Sequence, residues 1–252
     1  MHSPLVSVVI CTNRNDKYLD LSINSMVSQS YENIEIILVI NNVSDDTYNN
    51  IVNKFKSIKN IKLIRTKIHG IMASRNIGIH YCQGKYMAVM DSDDISEERR
   101  LEKQVNYLES NPTVDVCGSS YHIIDENNTI INKIHVPTNN ISKKLWYKNP
   151  ICHPSCLIKT STLISSGGYS GYSAEDYELW LRLLSKNAKF SNLDDFLFKY
   201  RVPITSKERY SKLAYIHVAT SQLKMFLLTW NVKWIFGFFL TLFKMTYKIR
   251  QA

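Results

Sequence analysis

Over the first 120 positions, apolar residues alternate between short unbroken blocks and stripes at helical spacing. Residues 6–10 form a β-branched run with no charge in it, the composition of a strand covered on both faces. In the next segment, residues 16–29, Leu19, Ile23, Met26 and Val27 fall on one helical face. The alternation then repeats. Strands are predicted at 34–40, 61–65 and 86–90, and helices at 45–57, with Tyr48, Ile51, Val52 and Phe55 on one face, and at 71–81. A β-α-β-α order of this kind predicts an α/β fold with a mostly parallel, doubly wound sheet and right-handed crossovers. The loops at the carboxyl ends of such strands converge on one ligand site.

Beyond residue 94 the pattern changes. A charged helix is expected over 97–109, followed by short strands at 114–117, 121–124 and 130–134, the last two separated by the turn-forming Asp125-Glu126-Asn127-Asn128. Helical spacing returns over 173–184, with Tyr177, Leu179 and Leu183 inward and Ser173 as the expected cap before an acidic first turn. No repeat, low-complexity tract or Gly/Pro linker divides the chain. A change of composition near Ser206 separates an expected domain over 1–205 from a helical extension over 206–252.

That extension is where the charge lies. The whole chain of 252 residues carries +9, and residues 201–252 hold nine Lys or Arg against one acid, Glu208, a net of +8. Nucleic acid is not the expected partner, because the same stretch contains Met225-Phe226-Leu227-Leu228 and Trp234-Ile235-Phe236-Gly237-Phe238-Phe239, too apolar for a surface that tracks phosphates. Trp, Phe and Lys together fit a helix lying on an anionic inner-membrane surface. The competing arrangement is a helical hairpin packed on the protein's own core or on a second subunit, which would give an oligomer. Asn231 and Lys233 in the middle of 225–243 argue against a spanning helix.

At 44% hydrophobic the chain can bury a large core, and disorder is not expected. The five cysteines, Cys11, Cys82, Cys117, Cys152 and Cys156, are odd in number and scattered, and no signal-like segment precedes the first strand. Reduced thiols and a cytoplasmic location are therefore expected. Cys152-His153-Pro154-Ser155-Cys156 has no second pair at zinc-ligand spacing, so no zinc site is expected.

The candidate chemistry starts at the end of the strand 86–90, which runs directly into Asp91-Ser92-Asp93-Asp94. Like charges this close are costly unless a cation neutralises them, and hard oxygen ligands suit Mg or Mn. The competing reading is a solvated acidic turn that caps the following helix.

Several segments together resemble the family 2 inverting glycosyltransferases, nucleotide-sugar enzymes of the GT-A fold. They are Pro4-Leu5-Val6-Ser7-Val8-Val9-Ile10-Cys11-Thr12, Gln29-Ser30-Tyr31-Glu32-Asn33-Ile34-Glu35-Ile36, Gly70-Ile71-Met72-Ala73-Ser74-Arg75-Asn76-Ile77-Gly78, Asp91-Ser92-Asp93-Asp94, and Ala174-Glu175-Asp176-Tyr177-Glu178-Leu179-Trp180. Their order along residues 4–201 makes the joint signal far more specific than any one piece. The resemblance implies a Rossmann-like central sheet flanked by helices, with Thr12, Asn13, Asn42, Arg75, Asn76, Asp91 and Ser92 at the nucleotide sugar. It implies Asp91 and Asp93 at a Mn or Mg ion and Asp176 as the base. Spacing alone does not choose Asp176 over Glu175 or Glu178. Glu175, His153 and Arg201 are implied on the acceptor side or at the phosphates.

Physical chemistry supports these roles. A nucleoside diphosphate gains negative charge as it leaves, and a metal would stabilise it. Arg75 at a helix start could clamp the same phosphates, with Asn76 fixing the adjoining loop. Glu175 beside Asp176 raises the proton affinity of the base.

The chain also departs from the family's pattern. Asn41-Asn42 replaces the family's Asp-Asp after the second strand, so base reading would pass through the Asn42 amide. Thr12-Asn13-Arg14 lacks the family's Tyr, and Pro203 occupies the place of a His that can reach the metal. The expected activity is transfer of a hexose or N-acetylhexosamine from a UDP-sugar to a saccharide or lipid-linked saccharide, in cell-surface polysaccharide, O-antigen or lipooligosaccharide assembly. The alternatives are a non-catalytic nucleotide-sugar-binding scaffold and a sugar nucleotidyltransferase; the latter would want a Gly-rich basic first loop that is missing here.

Overall fold

The computed structural model describes residues 3–171, 173–202 and 212–249. Pro203 and the compositional boundary near Ser206 lie outside the described residues. The first half follows the predicted alternation: β1 (Val6–Thr12), α1 (Lys17–Val27), β2 (Ile34–Asn41), α2 (Asp45–Phe55), β3 (Ile61–Thr66), α3 (Ile71–Tyr81) and β4 (Tyr86–Asp91). β1 pairs in parallel with both β2 and β4, and β2 with β3. Alternate β1 residues face opposite ways, so the strand is lined on both sides: Val8 and Ile10 pack with α1, α2 and the helix after β4, while Val9 packs with α3. Asp16 ends the first loop by accepting the Tyr18 and Leu19 amides, which fixes where α1 begins.

The second half is antiparallel and mixed. It comprises β5 (Ile95–Ser96), α4 (Arg100–Ser110), β6 (Val116–Ile124), β7 (Ile130–Ile134), α5 (Ile141–Lys144), a 3-10 turn (His153–Ser155), β8 (Leu157–Lys159), α6 (Thr160–Ser166), α7 (Glu175–Ser185) and β9 (Phe190–Arg201). Among the described residues the nine strands form one sheet, ordered β3-β2-β1-β4-β8-β6-β9-β5, with β7 on β6. The separate strands expected at 114–117 and 121–124 are the single strand β6, whose parallel register with β9 shifts on either side of Ser120. Helix α4 starts later than expected because Ile95 and Ser96 first pair with β9. Ser173 does not cap α7: the position belongs to Ala174, at φ 54°, and the Ser173 amide instead donates to His217 Nδ1 at 3.0 Å.

The C-terminal segment is a helical hairpin, α8 (Lys212–Thr229) and α9 (Lys233–Ile249). The apolar run 225–243 breaks at Trp230, at φ 53°, and Asn231 accepts the Lys233 amide at the start of α9. Among the described residues no helix is long and apolar enough to cross a membrane. Met225 and Trp234 join the core cluster of α3, α6 and α7. Between the helices, Thr241 Oγ1 donates to Gln222 Oε1 at 2.8 Å, and Gln222 Nε2 donates to the Trp146 carbonyl at 2.9 Å and to Tyr177 Oη at 3.1 Å. A buried amide with its partners satisfied on three sides fixes the hairpin's register on the body of the protein.

Candidate active site

Two cavities open side by side at the carboxyl ends of the parallel strands. One, of about 300 Å³, is lined by Thr12, Asn13, Asn41, Ser74, Ser92 and Asp93. The other, of about 410 Å³, is lined by Tyr121, Asn149, His153, Glu175, Asp176 and Tyr200. Arg75 and Asp91 belong to both.

Arg75 joins them chemically as well. Its guanidinium binds Asp91 Oδ1 at 2.9 Å and Glu175 Oε1 at 2.6 Å, with only 8% of the side chain exposed. Burial alone would lower its pKa. The carboxylate of Asp91, with Tyr169 and Glu175, more than offsets this and leaves the group firmly protonated. Arg75 can sit there because Ser74 and Gly78 let α3 approach β1 and β2: Ser74 Oγ accepts from Asn41 Nδ2 at 2.7 Å, and a Cβ at Gly78 would meet Val9.

The acidic turn is held from behind by Arg201, which donates to the carbonyls of Asp93 and Asp125 and to Asn128 Oδ1, each at 2.6 Å. Its backbone amide donates to Asp94 Oδ1 at 2.7 Å. Burial, then Asp91, raises the pKa of Asp93. Asp94, unlike the half-buried Asp93, is fully buried and is raised well above its ordinary value by burial, then by Asp91 and Asp93. Asp93 Oδ2 is met by Arg14 at 2.9 Å. The turn thus concentrates carboxylates in a place that resists their charge, and Asp91 and Asp93 both reach the first cavity. Hard oxygen donors under such repulsion fit a Mn or Mg ion. Among the described residues no group of three or more His, Cys, Asp or Glu is placed to hold a metal ion, so a cation there would draw its remaining ligands from a diphosphate and water.

At the second cavity Asp176 sits in the first turn of α7, where Tyr177 N–H donates to Oδ1 at 2.7 Å and Asn149 Nδ2 to Oδ2 at 2.8 Å. Burial, then the neighbouring Glu175, raises its pKa against these hydrogen bonds. A carboxylate with raised proton affinity at a cavity wall is suited to act as a general base.

The other expected residues divide. Thr12, Asn13 and Ser92 line the first cavity, while Asn42 lies one position too far along the chain and lines an adjoining polar recess with Arg14, Ser44 and Thr47. His153 reaches the second cavity, but its Nε2 is paired with Tyr169 Oη at 2.7 Å, and burial, then Arg75, lowers its pKa well below the usual value. Asn76 and Arg201 line neither cavity. Both ends of the Asn76 amide bind the Tyr169 backbone, at 2.9 and 2.7 Å, so this residue fixes the loop before α7. Arg201 positions the acidic turn. Arg14, Asn41 and Asp94 stand in the motifs read from the sequence but were given no role there, and Asn149 was not singled out; each is hydrogen-bonded to a residue of the site.

The Glycosyl transferase family 2 profile matches residues 7–179, more than half of the chain. This chain belongs to glycosyl transferase family 2. Among its relatives, O-antigen biosynthesis glycosyltransferase WbnJ of Escherichia coli is 33% identical over 88% of this chain and 89% of its own length. The E. coli UDP-Glc:alpha-D-GlcNAc-diphosphoundecaprenol beta-1,3-glucosyltransferase WfaP is 30% identical over 83% of this chain and 82% of its own. S. aureus TarS in complex with UDP-GlcNAc superposes with a TM-score of 0.71 at 17% identity, over 90% of this chain and 67% of that one. The mannosyltransferase PcManGT from Pyrobaculum calidifontis in complex with GDP-Man and Mn2+ gives 0.70 at 15% identity, over 100% and 76%. A longer TarS chain is covered to 40%. These superpositions establish the GT-A fold for this family 2 member. Within that fold the acidic turn closes β4 and the Asp176 turn opens α7, on opposite sides of Arg75.

Proposed function

We propose that the chain is an inverting glycosyltransferase that moves a hexose or N-acetylhexosamine from a UDP-sugar to a saccharide acceptor carried on a lipid, in cell-surface polysaccharide or O-antigen assembly. The observation that carries this reading is the Asp91–Arg75–Glu175 ion triad, which joins a cavity suited to a diphosphate to one containing a candidate base. The activity of WfaP, a UDP-glucose transferase acting on a diphosphoundecaprenol-linked sugar, and the UDP-GlcNAc bound by TarS support the choice of donor and of acceptor class.

In this reading the diphosphate of the donor occupies the first cavity, with Asp91 and Asp93 holding the divalent cation and Arg75 adding hydrogen bonds from the side. When bound, that cation supplies positive charge that lowers the energy of the departing diphosphate. The acceptor sugar enters the second cavity with one hydroxyl at Asp176. As the hydroxyl oxygen attacks the anomeric carbon, Asp176 takes its proton and the bond from that carbon to the diphosphate oxygen breaks. Attack from the face opposite the leaving group inverts the anomeric centre. Asn149 and the Tyr177 amide hold the carboxylate in place for that transfer, and Glu175 keeps Arg75 from neutralising it directly.

A panel of UDP-, GDP-, CDP- and dTDP-sugars in thermal-shift measurements with Mn tests the donor. A UDP-sugar at 100 times its dissociation constant should add about 2.7 kcal/mol of stability. Nuclear magnetic resonance of the product formed from the stabilising donor reads the anomeric configuration. Binding without turnover, or retention of configuration, would overturn the proposal.

A further inference from the structure

Of the sixteen large apolar side chains that lie exposed among the described residues, ten fall between positions 213 and 247, all on the α8–α9 hairpin. On α9 the two apolar sides are distinct. Trp234, Gly237 and Thr241 face the protein, and Phe236, Phe239, Phe243 and Tyr247, repeating every three or four residues, lie on the opposite side. At the tip, Trp230 is 77% exposed and Val232 stands beside it in the turn. A helix that is apolar on both sides has used only one of them in this fold, and among the described residues the other is left bare.

The charge around this bare face selects its partner. Between residues 212 and 249 the sequence has five lysines and no Asp or Glu. Lys233, together with Lys143 from α5, lines a recess where the hairpin tip meets the body of the protein. A second copy packed face to face about a two-fold axis would bring like lysines together with no carboxylate between them. Lipid phosphates supply the missing counter-charge, and acyl chains take the aromatic side chains. No helix among the described residues is built to cross the bilayer. We propose that the hairpin lies in the surface of an anionic lipid bilayer, with Phe236, Phe239, Phe243 and Trp230 sunk into the acyl boundary and Lys224 and Lys233 at the phosphates. This goes beyond the proposed transfer reaction and is independent of it, since docking involves no residue of either cavity.

The test is co-sedimentation of the full chain with vesicles of equal parts phosphatidylglycerol and phosphatidylcholine, and with phosphatidylcholine alone. The wild-type chain should pellet with the anionic vesicles. Phe236→Ser/Phe239→Ser/Phe243→Ser should weaken that partitioning by about ten-fold or more, with far-ultraviolet circular dichroism confirming the fold. Lys224→Gln/Lys233→Gln should lose about five-fold for each lysine on anionic vesicles and little on neutral ones. Ile164→Ser on α6, where the side chain is as exposed, should change nothing. A readout that needs no apolar-face variant is quenching of tryptophan fluorescence by brominated lipid. Wild type should be quenched and Trp230→Phe much less so, because Trp180 and Trp234 are buried and Trp146 is partly buried against the core. A wild-type chain that stays in the supernatant, absence of quenching, or a triple-serine variant that binds as wild type would overturn the proposal. So would a dimer in light scattering that the triple-serine variant dissolves while vesicles leave it unaffected.

Discussion

Arg75 is the residue on which both cavities depend, and its energetics follow from the way it is paired. With its guanidinium removed, Asp91 and Glu175 would face each other across a largely buried gap, and breaking such a pair costs about 3 kcal/mol. Arg75→Ala is therefore expected to lower stability in urea unfolding by about that amount and to abolish transfer. Arg75→Lys should recover little of either, since a single ammonium cannot span both carboxylates as the planar fork does. Asp176 gives a second expectation at this scale. Asp176→Asn should cut turnover by about a thousand-fold with donor binding nearly unchanged, as seen by thermal shift. The pH dependence has a definite sign. Because the pKa of Asp176 is raised above 3.8 by burial and then Glu175, its stabilising contribution is present below the unfolded value and lost as pH rises through the folded value. Asp176→Asn should thus be more stable than wild type near neutral pH and lose that advantage in acid. Activity runs the other way, requiring the ionised base. Glu175→Gln removes the like charge, and the acid limb of its kcat/KM profile should move to lower pH.

At the scale of elements, what could be read in advance tracks how strongly each segment's pattern reports its surroundings. Helix α1 and the strands β1 and β4 were legible because a strand buried on both faces is an unbroken apolar run, and a helix covering it has a single stripe, here Leu19, Ile23 and Met26. By contrast, β8 has three residues, too few to show a period, and β9 carries Asp194 and Asp195 in mid-strand, where the register against β6 shifts. The same logic divides the site. Asp91, Arg75 and Asp176 stand in local motifs. The pairings Asn149–Asp176 and Arg14–Asp93 join residues 27 and 79 positions apart, and no local pattern announces them. Asn42 lies just past the end of β2 with a left-handed backbone, φ 50°, and lines the adjoining recess, while Asn41 takes the wall of the first cavity. The hairpin offers the test at this scale. A Cβ at Gly237 would collide with the Trp146 carbonyl oxygen, the same atom that Gln222 binds. Gly237→Ala should push α9 away from that loop at a cost of about 1–3 kcal/mol, measurable as a lowered midpoint of thermal unfolding.

At the scale of the whole molecule, the acidic turn is a point of stored repulsion against which the rest of the fold is braced. Arg201 fastens it to β6 and β7 through the turn at Asp125 and Asn128, and Arg75 and Arg14 neutralise it from the two sides. A divalent cation and a nucleoside diphosphate entering the first cavity would together relieve this repulsion, the cation by meeting Asp91 and Asp93 and the diphosphate by meeting the cation and Arg75. Their binding should therefore be mutually supportive, and the factor by which Mn tightens UDP must equal the factor by which UDP tightens Mn. Arg14 enters this linkage with a sign of its own. Because it holds Asp93 Oδ2 at 2.9 Å on the partly exposed rim, it would compete with a cation for that carboxylate, and the exposed pair returns at most about 1 kcal/mol to stability. Arg14→Ala should consequently leave unfolding in the presence of a chelator almost unchanged while raising Mn affinity by up to about five-fold. Calorimetric titration of Mn into wild type and variant, with and without UDP, closes the cycle. A Mn affinity that falls in the variant would overturn this competition between Arg14 and the ion at Asp93.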